Sequence, residues 1–262
     1  MMAAVENRYN LMELMVCVAA RQLEDNKTAV IGTGMPLAAA MLAQKTTAPD
    51  LILMFEAGSM APLLEKLPIS VADSFTQTGA IIHGSMTDVM EACQRGIVDY
   101  TFLGGAQIDM YGNINSTIIG DDYQKPKVRL PGSGGANDLA SLCWKTLCIT
   151  PHDKRRFVKK LDFLTTPGYL TGPGAREAAG LPPGTGPYKM ISTHALMGFD
   201  PETKRMRVES LHPGVTKADV IDNTDFEMLF VDPLPTTLAP SDEELYILRS
   251  EVDPLGKITG RK

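Results

Sequence analysis

The sequence predicts an α/β fold, an open, mainly parallel sheet with helices against its faces. Two observations carry this reading. Short apolar runs fit for strands alternate with stretches at helical spacing, and the runs end in glycine-rich turns; such alternation builds parallel sheets. The 262 residues are 44% hydrophobic, enough for a substantial core. No repeat, low-complexity tract or linker divides them, so a single domain over 1–262 is expected.

The elements follow in order. Asn10 and Glu13 form a capping pattern, and Leu11, Leu14, Met15 and Val18 share one helical face. The apolar run 28–31 stops at Gly32-Thr33-Gly34-Met35-Pro36, and Pro36 suits the first turn of a helix over 37–44. Leu51-Ile52-Leu53-Met54-Phe55 fits a strand buried on both faces and stops at Glu56-Ala57-Gly58-Ser59. A strand near 81–83 leads through Ser85 into a helix over 87–96, and 100–103 is a strand closed by Gly104-Gly105. Val128-Arg129-Leu130 runs into Pro131-Gly132-Ser133-Gly134-Gly135-Ala136-Asn137-Asp138, with a helix beginning over 139–144. The basic run 154–160 reads as a solvated helix face. Residues 188–194 and 206–211 read as strands around the turn 200–204, and Ser241 with Glu244 starts a helix to about 250.

A net charge of -6 disfavours a protein whose task is to grip nucleic acid. Cys17, Cys93, Cys143 and Cys148 form no C-x-x-C pair and no disulfide framework, as expected of reduced, buried thiols in a cytoplasmic protein. Glu6, Arg8 and Glu13 interrupt the N-terminal apolar stretch, unlike a signal peptide. No uncharged apolar run reaches the roughly 18 residues of a membrane span. The four histidines show no metal spacing, and no Gly-x-Ser-x-Gly elbow supports a hydrolase triad.

Glu56 is the first candidate. A carboxylate after five apolar residues, at a strand end, is expected to be partly desolvated and reactive as base or nucleophile. The alternative is a Glu that opens a helix and complements its dipole. The Gly132-Ser133-Gly134-Gly135 turn offers backbone N–H groups to an oxyanion, with Asn137 or Asp138 as a cap, or is a plain strand-to-helix turn. Gly32-Thr33-Gly34 carries the same two readings. Asn113 and Asn115 follow Gln107-Ile108-Asp109, and either donate amides to a carbonyl or pantetheine-like group or bond their own backbone.

Together these turns resemble the B (beta) half of class I CoA-transferases, most closely the glutaconate type, over nearly the whole chain. The markers are Gly32-Thr33-Gly34-Met35-Pro36, Phe55-Glu56-Ala57-Gly58, Gln107-Ile108-Asp109 with Gly112-Asn113-Ile114-Asn115, and Gly132 through Asp138. Arg156-Phe157-Val158, Asp162 through Gly168 and His212-Pro213-Gly214-Val215-Thr216 continue the series. The resemblance implies the isomerase/CoA-transferase type of open α/β fold. It also implies Glu56 as a nucleophile that passes CoA between carboxylic acids through a glutamyl-CoA thioester. Gly134 or Gly135 N–H would complete an oxyanion hole, and Gly32, Gly34, Gly105, Gln107, Asn113 and Asn115 would bind CoA or substrate. The expected partners are a homologous A-type (alpha) subunit in a hetero-oligomer, with an acyl-CoA and a carboxylic acid as substrates. CoA enters as substrate, with no tightly bound cofactor, metal, nucleic acid or membrane. The alternatives on the same scaffold are a CoA-thioester hydrolase or decarboxylase, and, from another class, a non-catalytic acyl-CoA sensor.

Overall fold

A computed structural model describes residues 8–261, so Glu6 lies outside the described residues. The chain divides into two compact units. Unit 1 runs to Ala92 and resumes at Leu238; unit 2 is Cys93–Thr237.

Unit 1 opens with α1 (Leu11–Ala20). Asn10 Oδ1 accepts the Glu13 N–H at 2.9 Å and Glu13 Oε2 accepts the Asn10 N–H at 2.9 Å, the reciprocal box expected. Strand β1 (Thr28–Val30) leads to α2 (Met35–Lys45), buried from Leu37 to Ala43, and α1 packs on it. The four alanines in that stretch let neighbouring backbone come close. Strand β2 (Ile52–Met54) lies parallel to β1, Val30 opposite Met54. Leu53, Met54 and Phe55 are buried but Ile52 is 41% exposed, so β2 is not covered on both faces along its length. The chain then turns back through β3 (Ser59–Met60) and β4 (Ile82–His83), both antiparallel additions. Helix α3 (Met86–Gln94) follows, with the Ser85 hydroxyl donating to Asp88 at 2.7 Å.

Unit 2 is built on β5 (Tyr100–Leu103). Next come two small antiparallel pairs, β6 (Gln107–Ile108) with β7 (Ile114–Asn115) and β8 (Ile118–Ile119) with β9 (Val128–Arg129). Helix α4 (Ala136–Leu142) starts three residues before and ends two residues before the expected 139–144, and strand β10 (Lys145–Thr150) follows after Cys143 and Trp144. Residues 154–160 are not a helix. Phe157 is fully buried there, bridged to Ile108, with Lys154, Arg155, Lys159 and Lys160 exposed and Arg156 turned partly inward. After α5 (Ala175–Ala178) come β11 (Gly186–Ser192), β12 (Ala195–Phe199) and β13 (Met206–Leu211), so a third strand lies where two were expected. Helix α6 (Lys217–Asp222), with a Thr216–Asp219 box, leads to β14 (Leu229–Phe230). Strands β5, β10 and β11 are parallel, β12 and β13 antiparallel, and β14 is parallel to β13. Ile108, Phe157, Met190, Met197 and Val208 lie in this unit's core.

The chain then re-enters unit 1 as α7 (Asp242–Ile247), capped by Ser241 and Glu244. Beyond it Arg249 reaches Glu13, Nε to Oε1 at 2.7 Å. Burial alone would raise the Glu13 carboxyl, but Arg249 and the Asn10 N–H hold it below its usual value. Among the described residues no helix is long and apolar enough to cross a membrane.

Three histidines meet beside Ser192 in unit 2. His152 bonds Ser192 Oγ (2.9 Å) and Thr224 Oγ1 (3.0 Å), and its ring stacks on Phe157 at 4.1 Å. His212 bonds Thr237 Oγ1 (3.0 Å) and donates to Ser192 O (2.9 Å). His194 lies 4.9 Å from His152, ring to ring. Burial pushes His152 down to about 3 and His212 to about 4. The fold thus holds both rings neutral, whereas the unfolded chain protonates them near pH 6.5. Stability is complete above that pH and falls as pH drops toward the folded values. We expect a loss on the order of 4 kcal/mol between pH 6.5 and 4.5. Urea unfolding across that window measures it; a flat profile contradicts the assignment. The paired Glu13 and Glu244 carboxyls, held below the usual carboxylate range, act only lower in pH.

Candidate active site

In unit 1 two turns sit at the carboxyl ends of the adjacent parallel strands β1 and β2, where open α/β sheets bind ligands. The first is Gly32-Thr33-Gly34. Space around both glycines is open, with no heavy atom within 4 Å of where a side chain would begin. Gly34 is the N-cap of α2 and supplies no side-chain cap, so the first-turn N–H groups are left to another acceptor.

The second turn carries Glu56. Gly58 N–H donates to Phe55 O at 2.8 Å and Phe55 N–H to Ser59 O at 2.9 Å, closing a tight turn with Glu56 and Ala57 at its tip. The reading that Glu56 opens a helix is therefore overturned: the next element is β3. Glu56 is half-buried, and among the described residues its carboxylate has no ion pair and no side-chain hydrogen bond. The turn is fixed from outside the motif. Gly58 has φ +115°, its carbonyl accepts the Gly84 N–H at 2.9 Å, and a Cβ there would overlap Gly84 backbone. Gly58→Ala is expected to cost about 2–4 kcal/mol, combining a forbidden φ with a backbone clash. Thermal unfolding reads this directly, and unchanged stability would show the turn to be looser than described.

In unit 2 the 105–115 segment is a network closed on itself. Arg156 Nη1 donates to Gly105 O, and a Cβ on Gly105 would overlap the Ile114 side chain and the Asn115 carbonyl. Asn115 donates to Gln107 Oε1 (2.7 Å) and Ile118 O (2.6 Å). Asn113 donates to Asp109 Oδ2 and Leu170 O, both at 2.8 Å, and accepts the Gly168 N–H at 2.7 Å. Both amides are buried and their hydrogens are spent inside the protein. In this geometry Asn113, Asn115 and Gln107 hold the loops together, and Gly105 is bare so that β7 can approach.

The glycine turn before α4 is different. Gly132 is tied down, its N–H on Ser116 O (2.8 Å) and its carbonyl accepting from the Ser116 hydroxyl (2.9 Å). Among the described residues the N–H groups of Gly134 and Gly135 find no acceptor. The cap expected from Asn137 or Asp138 is absent. Gly135 is the N-cap, Ser133 Oγ accepts the Asn137 N–H (3.2 Å), and Asn137 Nδ2 reaches Thr165 O (3.1 Å). Two adjacent free donors at the start of a helix suit an oxyanion.

Arg176 went unread in the sequence. It is 1% exposed, with Nη1 on Pro167 O (3.0 Å) and Gly168 O (2.8 Å) and Nη2 on Ala140 O (3.1 Å) and Thr185 Oγ1 (2.8 Å). It joins the last turn of α4 to the loop that grips Asn113. A lone Arg in a Gly/Pro-rich stretch carries no local signal of this. Among the described residues no three His, Cys, Asp or Glu side chains are grouped to hold a metal ion.

The chain belongs to the coenzyme A transferase family, whose model matches residues 13–223. Within that family it is of the class I beta type. It is 39% identical to the B chain of the 3-oxoadipate CoA-transferase of Pseudomonas knackmussii, over 92% of this chain and 93% of the relative. It is 37% identical to the corresponding half of the glutaconate CoA-transferase of Acidaminococcus fermentans, over 94% and 93%. The crystal structure of glutaconate coenzyme A-transferase from that organism superposes with a TM-score of 0.90 at 35% identity, covering 96% of this chain and 97% of that one. A more distant relative is the cholesterol ring-cleaving hydrolase IpdB subunit of Mycobacterium tuberculosis, 30% identical over 85% of each chain.

Proposed function

We propose that this chain is the beta half of a cytoplasmic CoA-transferase that moves CoA from an acyl-CoA to a small dicarboxylic acid, with Glu56 as covalent nucleophile. The observation that carries the reading is Glu56 itself, unpaired on a rigid turn beside a second, open turn. A carboxylate bound in an ion pair would have to break it to attack; this one is free. Both nearer relatives are named for CoA transfer with a dicarboxylate, which supports the substrate class.

The reaction runs in two halves. Glu56 attacks the thioester carbonyl, the C–S bond breaks, and an acyl-glutamyl anhydride and CoA thiolate result. The thiolate attacks the glutamyl carbonyl, releasing the first carboxylate and leaving CoA on Glu56 as a thioester. The second acid repeats the sequence in reverse and leaves with CoA, restoring the carboxylate. Each tetrahedral intermediate places negative charge on an oxygen, and the free Gly134 and Gly135 N–H groups are the donors we assign to it. Gly32 and Gly34 leave room for CoA at the α2 terminus, with CoA as substrate and no tightly bound cofactor. Gly105, Gln107, Asn113 and Asn115 serve the site as its scaffold. A homologous A-type subunit completes the site in a hetero-oligomer.

Co-expression with the A-type subunit tests this. Initial rates with acyl-CoA and acceptor acid varied together should give parallel double-reciprocal lines, the mark of a covalent intermediate. Intersecting lines would exclude it. The likeness to IpdB motivates a second reading, hydrolysis on the same scaffold; release of free CoA without a new acyl-CoA would favour it. Tight acyl-CoA binding with no turnover would favour a sensor.

A further inference from the structure

Two buried thiols in unit 2 have no part in this chemistry. Cys93, in the last turn of α3, and Cys143, at the end of α4, lie with their sulfurs 3.8 Å apart, the Cys143 thiol donating to Cys93. The backbone beside them is zipped together. Trp144 N–H donates to Val98 O (3.2 Å), Lys145 N–H to Asp99 O (2.8 Å), and the Trp144 indole N–H to Gly96 O (2.9 Å). Cys143 has already left the helix, with φ -71° and ψ 147°, so its side chain can be re-aimed without unwinding α4. A disulfide places its sulfurs about 2.05 Å apart, so the two need to close by roughly 1.8 Å. Cys17 and Cys148 are buried too, and burial pushes each thiol up to about 12. The hydrogen bond from Cys143 instead holds Cys93 below the ordinary thiol range and pushes Cys143 up.

We propose that Cys93 and Cys143 form a reversible, regulatory disulfide that closes the loop bearing all the unit 2 site residues. Gly105, Gln107, Asn113, Asn115, Gly134 and Gly135 all fall inside that loop. The oxidant is a hydroperoxide. Cys93 sulfur attacks one peroxide oxygen, the O–O bond breaks, and the remaining oxygen leaves as alcohol or water with the thiol's proton. The resulting Cys93 sulfenic acid is attacked by Cys143 sulfur; the S–O bond breaks and water leaves. Two electrons pass from the thiol pair to the peroxide. Access comes from fraying at the end of the nine-residue α3, where Gln94 and Arg95 are exposed, so oxidation is slower than at an open thiol. Drawing Cys143 toward Cys93 pulls on the seven-residue α4, whose other end carries Gly134 and Gly135. The effect on turnover rests on the oxyanion reading above; the disulfide does not.

The test uses the co-expressed heteromeric complex treated with hydrogen peroxide, alkylated, digested without reductant and mapped by mass spectrometry. The expected result is a Cys93–Cys143 linked peptide, lost on dithiothreitol treatment, while Cys17 and Cys148 stay alkylatable only after unfolding. The kcat should fall at least threefold with linkage, return with dithiothreitol, and stay constant in Cys93→Ser. Thiols that survive peroxide, or that pass to sulfinic acid unlinked, would overturn the pair. Linkage with unchanged kcat would overturn its regulatory role. The turnover of the untreated complex reports separately on the transferase reading.

Discussion

Glu56→Ala, assembled with the A-type subunit, is expected to lose CoA transfer by about 10⁴-fold or more, because the covalent route loses its nucleophile. Glu56→Gln should be as inactive: the amide keeps the shape of the side chain but does not form the thioester. Glu56→Asp should fall between these and the unaltered chain, losing about 10²-fold, since withdrawing the carboxylate by one methylene misplaces the attacking oxygen by about 1 Å or more. Stability should hardly move in any of the three, within about 0.5 kcal/mol, since the carboxylate is half-buried and has no partner to lose. This split between activity and stability distinguishes a nucleophile from a structural carboxylate. Steady-state rates alongside thermal unfolding measure it.

The largest stability effect is expected at Arg176. Its guanidinium is buried against carbonyl oxygens of Pro167, Gly168 and Ala140, with the Thr185 hydroxyl as further partner. Arg176→Met removes the donors and leaves buried carbonyls unsatisfied, at a cost of about 3–5 kcal/mol. Arg176→Lys keeps a cation but loses the planar fork, so it should fall between the two. Urea denaturation of the assembled protein provides the ranking. A loss below about 1 kcal/mol for the Met variant would mean that water or rearranged backbone replaces the guanidinium.

What the sequence made legible was local. Asn10 with Glu13, and Ser241 with Glu244, contact residues three positions away, so the spacing alone announces the caps. The position of Glu56 at a strand end was readable because Leu51 to Phe55 is an unbroken apolar run. The turn after it was not readable, because Gly84, 26 positions on, fixes the conformation of Gly58. Strand β10 was hidden because α4 ends without glycine or proline, and Trp144 reads equally well as helix. Strand β12 was hidden because only Thr193-His194 separates it from β11. Asn113 and Asn115 were found by residue type, but their roles are set by Leu170, Gly168 and Ile118, which sequence spacing does not bring near. Glycine content marks the 132–135 turn and the family resemblance singles out Gly134 and Gly135 within it, while nothing local marks the clamp on the far end of α4.

The most direct test of the account is capture of CoA on Glu56. The heteromeric complex is incubated with acyl-CoA without acceptor acid, reduced with borohydride, digested and sequenced by mass spectrometry. The Glu56 side chain alone is expected to be reduced to the alcohol, in proportion to the activity lost, and an acceptor acid added first should protect it. An unmodified Glu56 in a complex that still transfers CoA, or reduction at another carboxylate, would contradict it.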